Sequence, residues 1–215
     1  RPLPYDAFRD FAPIATLTRI PFMLVLHPSL PANNLREFIA LAKSRPGQLN
    51  YASSGSGGQG HLAMEMFSIL TGVKMQHVPY KGGGPALTDL LGGQVQLHFN
   101  VPINLISPVK SGRLKAIAIS GESRLAALPQ MPTFTEAGLP NFDVSYWQGV
   151  VFPAGTPMPI IDKMSTEIAK ILAMPDIKEK LLSLGADPLI SNRDQFAALI
   201  KAETMKYANV VKMAN

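Results

Sequence analysis

The 215 residues make one large domain or two small ones. An apolar fraction of 47% beside a charged fraction of only 16% excludes a disordered chain, and the net charge of +5 is scattered over positions such as Lys43, Lys110, Lys163, Lys178 and Lys206 rather than gathered into a nucleic-acid-binding stripe. The absence of cysteine excludes disulfides, thiolate catalysis and cysteine-based zinc sites.

In chain order, three windows free of Asp, Glu, Lys and Arg (46–64, 90–109 and 144–161) are long enough to span a bilayer, but each is broken by Gly, Pro, Ser, Asn or Gln. Arg1-Pro2-Leu3-Pro4 is not followed by an apolar run of signal-peptide type, so the chain reads as mature, cytosolic or truncated. His27 stands at a strand exit. Residues 33–45 form a predicted helix with Leu35, Phe38, Ile39 and Ala42 on one face; Asn34 and Glu37 are spaced for a capping box. A short strand at 49–52 leads into a polar, Gly-rich loop at 53–60, then a helix aligning Leu62, Met66 and Leu70 that stops at Gly72. The pattern repeats with a strand at 75–79, a loop at 80–84 and a helix opening at Pro85. Val95, Leu97 and Phe99 alternate with Gln96 and His98, giving a strand with one apolar face, while the apolar run at 114–120 is expected at a sheet centre. His77 and His98 read as packed or solvent-facing strand residues.

Residues 125–142 are Pro-rich and read as a connector with one helical turn near 133–137. A strand follows at 144–152, then a turn at 153–157. A helix to about Ala173 aligns Ile161, Met164, Ile168 and Ile171, and a second opens at Pro175. A short strand at 189–190 precedes a last helix, where Ser191 and Asp194 are spaced for a capping box and Phe196, Leu199, Ile200, Tyr207, Val210 and Val211 form the buried face. Strands alternating with helices give the fold class as α/β.

The two loops carry the chemistry. A helix N-terminus presents unpaired N–H groups and a partial positive charge, and glycines let a ligand approach that backbone. Ser53, Ser54, Gly55, Ser56, Gly57, Gly58, Gln59 and Gly60 form one such loop, followed by His61; Tyr80, Lys81, Gly82, Gly83 and Gly84 form the other. Gly55, Gly57 and Gly60 also fit the G-x-G-x-x-G spacing of dinucleotide-binding folds, which leaves an NADP-type nucleotide-dependent enzyme as the alternative; the acidic residue expected after the next strand is replaced by Tyr80-Lys81. No P-loop and no G-x-S-x-G element occurs, and His61 with Glu65 reads as a helix-surface pair rather than a metal site. Trp147, in a charge-free strand, fits either a core or a cleft wall.

Several stretches then resemble one family. Phe11-Ala12-Pro13-Ile14, Leu49-Asn50-Tyr51-Ala52-Ser53-Ser54-Gly55, His77-Val78-Pro79-Tyr80-Lys81-Gly82, Ala86-Leu87-Thr88-Asp89-Leu90-Leu91-Gly92-Gly93-Gln94-Val95, Leu128-Pro129-Gln130-Met131-Pro132-Thr133 and Pro153-Ala154-Gly155-Thr156-Pro157 are similar to the solute receptors of tripartite tricarboxylate transporters, the Bug receptors. The resemblance implies a periplasmic-binding-protein-like, two-lobed Venus-flytrap fold. It implies capture of a small carboxylate or related polar metabolite in the periplasm, with no catalysis and no cofactor, and delivery to membrane permease subunits. By position it places residues 27–140 in the second lobe and 1–26 with 141–215 in the first. The loop from Ser53 to His61 becomes a carboxylate clamp, flanked by Tyr80, Lys81, Gly82 and Gly83 and by the segment around Asn100, where many members carry Asp. Strand–helix units that precede Leu3-Pro4-Tyr5-Asp6 in the family are absent here, so the first lobe is expected to be incomplete and to expose apolar helix faces, as in a truncated chain or one completed by a partner chain. Binding by the chain alone is then expected to be millimolar or weaker.

Overall fold

The computed structural model describes residues 4–214; Arg1, Pro2, Leu3 and Asn215 lie outside the described residues. The chain divides into two compact units. The smaller takes the chain up to Ile20 together with Trp147–Lys206, and the larger takes Pro21–Tyr146 and the chain from Tyr207.

β1 (Phe11–Pro21) belongs to the smaller unit's sheet, and β2 (Met23–Leu26) follows in the larger unit. Neither was delimited by periodicity beyond the exit at His27, because β2 is buried on both faces and shows no alternation. α1 (Leu35–Ser44) opens with a variant of the expected capping box: Asn34 Oδ1 accepts the Glu37 N–H at 2.9 Å, but Glu37 Oε2 accepts the N–H of Asn33, one residue ahead of the N-cap, at 2.7 Å. β3 (Asn50–Ser53), α2 (Gln59–Thr71) and β4 (Gln76–Pro79) follow, with Gly72 ending α2 in the left-handed conformation at φ 72°. α3 (Gly83–Leu91) begins two residues ahead of Pro85, because the glycines themselves supply its first turn.

β5 (Leu97–Asn100) is buried on both sides rather than on one, with His98 only 1% exposed. α4 (Ile106–Lys110) leads to β6 (Lys115–Ile119). The sheet order is β4-β3-β5-β2-β6, so β6 lies at an edge and not at the centre expected from its apolar run. The 125–142 connector covers that edge: Ile119 N–H donates to the Pro132 carbonyl at 3.0 Å, and Phe134 N–H to the Ile119 carbonyl at 2.9 Å. An edge strand sheltered in this way keeps the apolar texture of an interior one.

β3 is parallel to both β4 and β5, while β2 is antiparallel to β5 and β6. Leu24, Leu26 and Phe99 face a core with Phe38 of α1, Phe67 of α2, Phe134 and Phe142. Met23, Val25 and Ala52 face the other layer, with Ala86 and Leu90 of α3 and Leu105. α2 and α3 therefore leave the carboxyl ends of neighbouring strands toward opposite faces, which opens a crevice beside β3 where α/β folds commonly hold ligands.

In the smaller unit the sheet order is β7-β1-β8, with β7 (Ser145–Pro153) and a two-residue β8 (Asp187–Pro188) in place of the strand expected at 189–190. α5 (Met158–Leu172) buries Ile161, but Met164 and Ile171, expected on the same buried face, are 39% and 49% exposed. α6 (Pro175–Ser183) has no buried residue. α7 (Arg193–Ala214) is capped one residue later than expected: Asn192 Oδ1 accepts the Gln195 N–H and Gln195 Oε1 accepts the Asn192 N–H, both at 2.9 Å. Ser191 instead bonds Thr16 Oγ1 at 2.8 Å. Val211, assigned to the buried face of α7, is exposed.

Candidate binding site

β3 ends at Ser53, whose side chain is buried and turns inward. Its Oγ lies 2.6 Å from His77 Nε2 and accepts the Gly55 N–H at 3.2 Å, so this hydroxyl shapes the loop from within. His61 supports the loop from the helix side: its Nδ1 accepts the Gly57 N–H at 3.1 Å, and its ring stacks on His77 at 3.9 Å between centroids. Tyr51 stacks on His77 at 4.9 Å and on His61 at 6.3 Å between centroids, and donates its hydroxyl to Glu65 at 2.6 Å. Burial, followed by the Glu65 carboxylate, pushes the Tyr51 phenol well above its usual range; burial and then His61 hold His77 below the usual imidazole value.

The loop then delivers α2 with its first turn open. Gly58 is the N-cap, no side chain caps the helix, and no acidic residue stands in the first turn. Close packing demands Gly60, because a Cβ there would lie 2.9 Å from the Phe99 carbonyl oxygen. α3 opens in the same manner behind Gly82 at φ 116°, again without a side-chain cap or an acidic first turn. The Gly82 N–H donates to the Ser54 carbonyl at 3.1 Å, tying the second loop to the first. Tyr80 donates to Asp89 at 2.7 Å, and burial with that bond pushes its phenol up to about 12.

Both helix starts meet in one cavity of about 520 Å³ within the larger unit. Ser54, Gly58, Gln59 and Asn100 of the expected residues line it; Ser53, Gly55, Ser56, Gly57, His61, Tyr80, Lys81 and Gly82 do not. Of the other walls, Gly60 and Gly83 belong to the two loops expected at the cleft and Val101 to the segment around Asn100, whereas Phe22, Asn104 and Tyr146 were missed. Phe22 and Tyr146 carry no local signal and arrive through the fold. Gln59 Oε1 is buried there without a hydrogen-bond partner. Lys81 and Ser56 are exposed. Trp147 stands in the smaller unit, edge-on to Phe196 at 5.7 Å, with its buried Nε1–H unpartnered.

The cavity is lined by neutral groups and carries no cation among its described walls. Its positive character comes from helix N-termini and amide donors, which suits an anionic ligand held by hydrogen bonds. Among the described residues no three His, Asp or Glu side chains gather to hold a metal ion, and no helix is long and apolar enough to cross a membrane.

Known proteins share this architecture. BugT of Bordetella pertussis is 35% identical over 210 residues, covering 98% of this chain and 64% of the relative. The chain thus spans a little under two thirds of that relative's length. The structure of Rpa4515 of R. palustris with adipate superposes with a TM-score of 0.92 at 33% identity, covering 100% of this chain and 72% of that one. MatC of Rhodopseudomonas palustris with bound malate gives a TM-score of 0.84 at 33% identity, covering 98% and 73%. With the like structure of the periplasmic binding protein BugD, these likenesses give the chain the α/β fold of periplasmic binding proteins, and the chain covers 71–73% of each of those three structures. The model of the tripartite tricarboxylate transporter family receptor, TctC, matches residues 1–215, and the chain belongs to that family.

Proposed function

We propose that this chain is the ligand-capturing part of a periplasmic receptor that binds a small carboxylate without transforming it and passes it to membrane permease subunits. One observation carries the reading: two uncapped helix N-termini, free of acidic residues, open on a single cavity together with Ser54, Gln59, Asn100 and Asn104. The adipate and malate held by the two structural relatives support the same ligand class. In this reading the lobe expected at 27–140 is centred on the larger unit, and the lobe expected at 1–26 with 141–215 on the smaller. Ser54, Gly58, Gln59 and Asn100 touch the acid, while Ser53, Gly55, Ser56, Gly57 and His61 set the loop that presents them. Tyr80, Lys81 and Gly82 brace the second turn.

Two or three hydrogen bonds to a carboxylate, each netting roughly 1.5–3 kcal/mol, total about 3–9 kcal/mol before the cost of immobilising the ligand is met, so binding is expected at about 1 mM or weaker. Calorimetric titration with adipate, malate and NADP tests this. Saturable heat with either acid and none with NADP is expected. Binding of NADP without binding of either acid overturns the receptor reading in favour of a nucleotide-binding enzyme.

A further inference from the structure

His98 is 1% exposed and takes no part in the Gly-rich loops, yet it sits two residues from Asn100 on the same face of β5. Its Nδ1 lies 2.8 Å from the Ala52 carbonyl oxygen. A carbonyl only accepts, so Nδ1 carries the hydrogen. Burial holds the imidazole below its usual pKa, opposed by the Ala52 carbonyl, and leaves a lone pair on Nε2. Asn100 Nδ2 lies 2.9 Å from that lone pair, while Asn100 Oδ1 accepts the Val101 N–H at 2.8 Å.

The relay is therefore determined from both ends: an acceptor at Ala52 and a donor at Val101. Flipping the amide would set Oδ1 against the Nε2 lone pair and Nδ2 against the Val101 N–H. One Nδ2–H remains, on a residue that lines the cavity. A Cβ at position 83 would lie 3.0 Å from Nδ2, so Gly83 keeps this nitrogen uncrowded at the start of α3.

We infer that His98 is a positioning residue: it fixes the orientation of the Asn100 amide, with the free Nδ2–H as the group presented to the ligand and Oδ1 turned to the Val101 N–H, so that the cavity takes an oxygen acceptor of the ligand at this point rather than an ammonium group. The inference rests on the carboxylate-receptor reading and deepens it. It names which wall selects the ligand's oxygen and which buried group enforces the choice.

Nitrogen-15 NMR of the full chain tests it. At pH 7 the His98 ring is expected in the Nδ1–H form with unprotonated Nε2; the opposite tautomer overturns the inference. On titration with malate to about ten times its Kd, one Nδ2 proton of Asn100 should move while the His98-bonded one stays; 1,4-diaminobutane should move neither. His98→Gln, whose Oε1 still accepts from Asn100, should keep malate affinity within about twofold. His98→Leu should weaken it about tenfold, the loss of one hydrogen bond to a charged ligand. If His98→Leu does not fold, the tautomer and the malate-dependent shift decide without it. Malate moving Gln59, Gly60 and Gly83 but neither Asn100 proton overturns this inference alone, whereas neither malate nor adipate moving any of them overturns the receptor reading itself.

Discussion

Gly60 and Gly84 open neighbouring helices and have opposite tolerance for a methyl group. At Gly60 an added Cβ meets a backbone oxygen of β5 at 2.9 Å, and backbone cannot rotate away. At Gly84 it meets nothing within 4 Å, and the residue lies inside a helix where alanine is favoured. Gly60→Ala is expected to cost about 1–3 kcal/mol by overpacking. Gly84→Ala should gain about 0.4–1 kcal/mol, since it removes freedom from the unfolded chain. Urea midpoints followed by circular dichroism check both; equal shifts would show that α2 does not press on β5. Such contrasts mark the limit of what residue types reveal. The sequence shows a run of glycines and hydroxyls, but not that Ser53 faces inward to His77 while Ser54 faces the cavity. Ser53 is the last residue of β3 and Ser54 the first of the loop, so the point at which the strand ends makes that difference. Phe22, Asn104 and Tyr146 were illegible for another reason: they reach the cavity from distant positions, brought there only by strand order.

At the scale of elements, patterns with a cap at one end and a glycine at the other were readable. α1 has Asn34 and Glu37 at its start, and α2 has Gly72 at its end. Patterns that depend on what lies alongside were not. β6 looked central because a connector with little periodicity shields its edge. That connector is clipped by Thr133 and Glu136: Glu136 Oε2 accepts the Thr133 N–H at 2.8 Å, and Thr133 Oγ1 accepts the Glu136 N–H at 3.1 Å. Arg124 pairs with the same carboxylate at 2.8 Å. The hydrogen bond from Arg124, then that from the Thr133 N–H, lowers the Glu136 pKa below its usual 4.5. A lowered acid pKa means that the clip is fully formed above pH 4.5 and is lost as pH falls through the folded-state value. Glu136→Ala should accordingly accelerate hydrogen exchange at the Ile119 and Phe134 amides, which hold the connector to β6. In the wild-type chain the same acceleration, corrected for intrinsic exchange, should appear only in acid below about pH 4.5. Unchanged protection in the variant would mean that apolar packing of Met131 and Phe134 holds the connector without the clip.

The whole molecule joins two units of unequal packing. The larger buries Phe38, Phe67, Phe99, Phe134 and Phe142 on one side of a five-stranded sheet and Met23, Val25 and Leu90 on the other. The smaller centres on Ile14, Ala15 and Ile161, closes its sheet with a two-residue strand, and leaves Met158, Ile160, Ile171, Met174, Leu182 and Ile190 between 45% and 54% exposed. Apolar burial supplies most of the stabilisation of a fold, so the two units should not be equally stable. The chain contains a single tryptophan, and Trp147 lies in the smaller unit with its indole against Phe196, a packing so close that a Cβ on Gly149 would fall 2.2 Å from that ring. Tryptophan emission therefore reports the smaller unit, while far-ultraviolet circular dichroism weighs the helices of both. In urea the emission change should come first, with the main loss of ellipticity at higher denaturant, so that one two-state transition does not describe the chain. Gly149→Ala should move the emission midpoint to lower urea and leave the later ellipticity transition in place. Coincident midpoints by the two probes in the wild-type chain would show instead that the units unfold together, and that the sparse core around Ile161 draws its stability from the rest of the molecule.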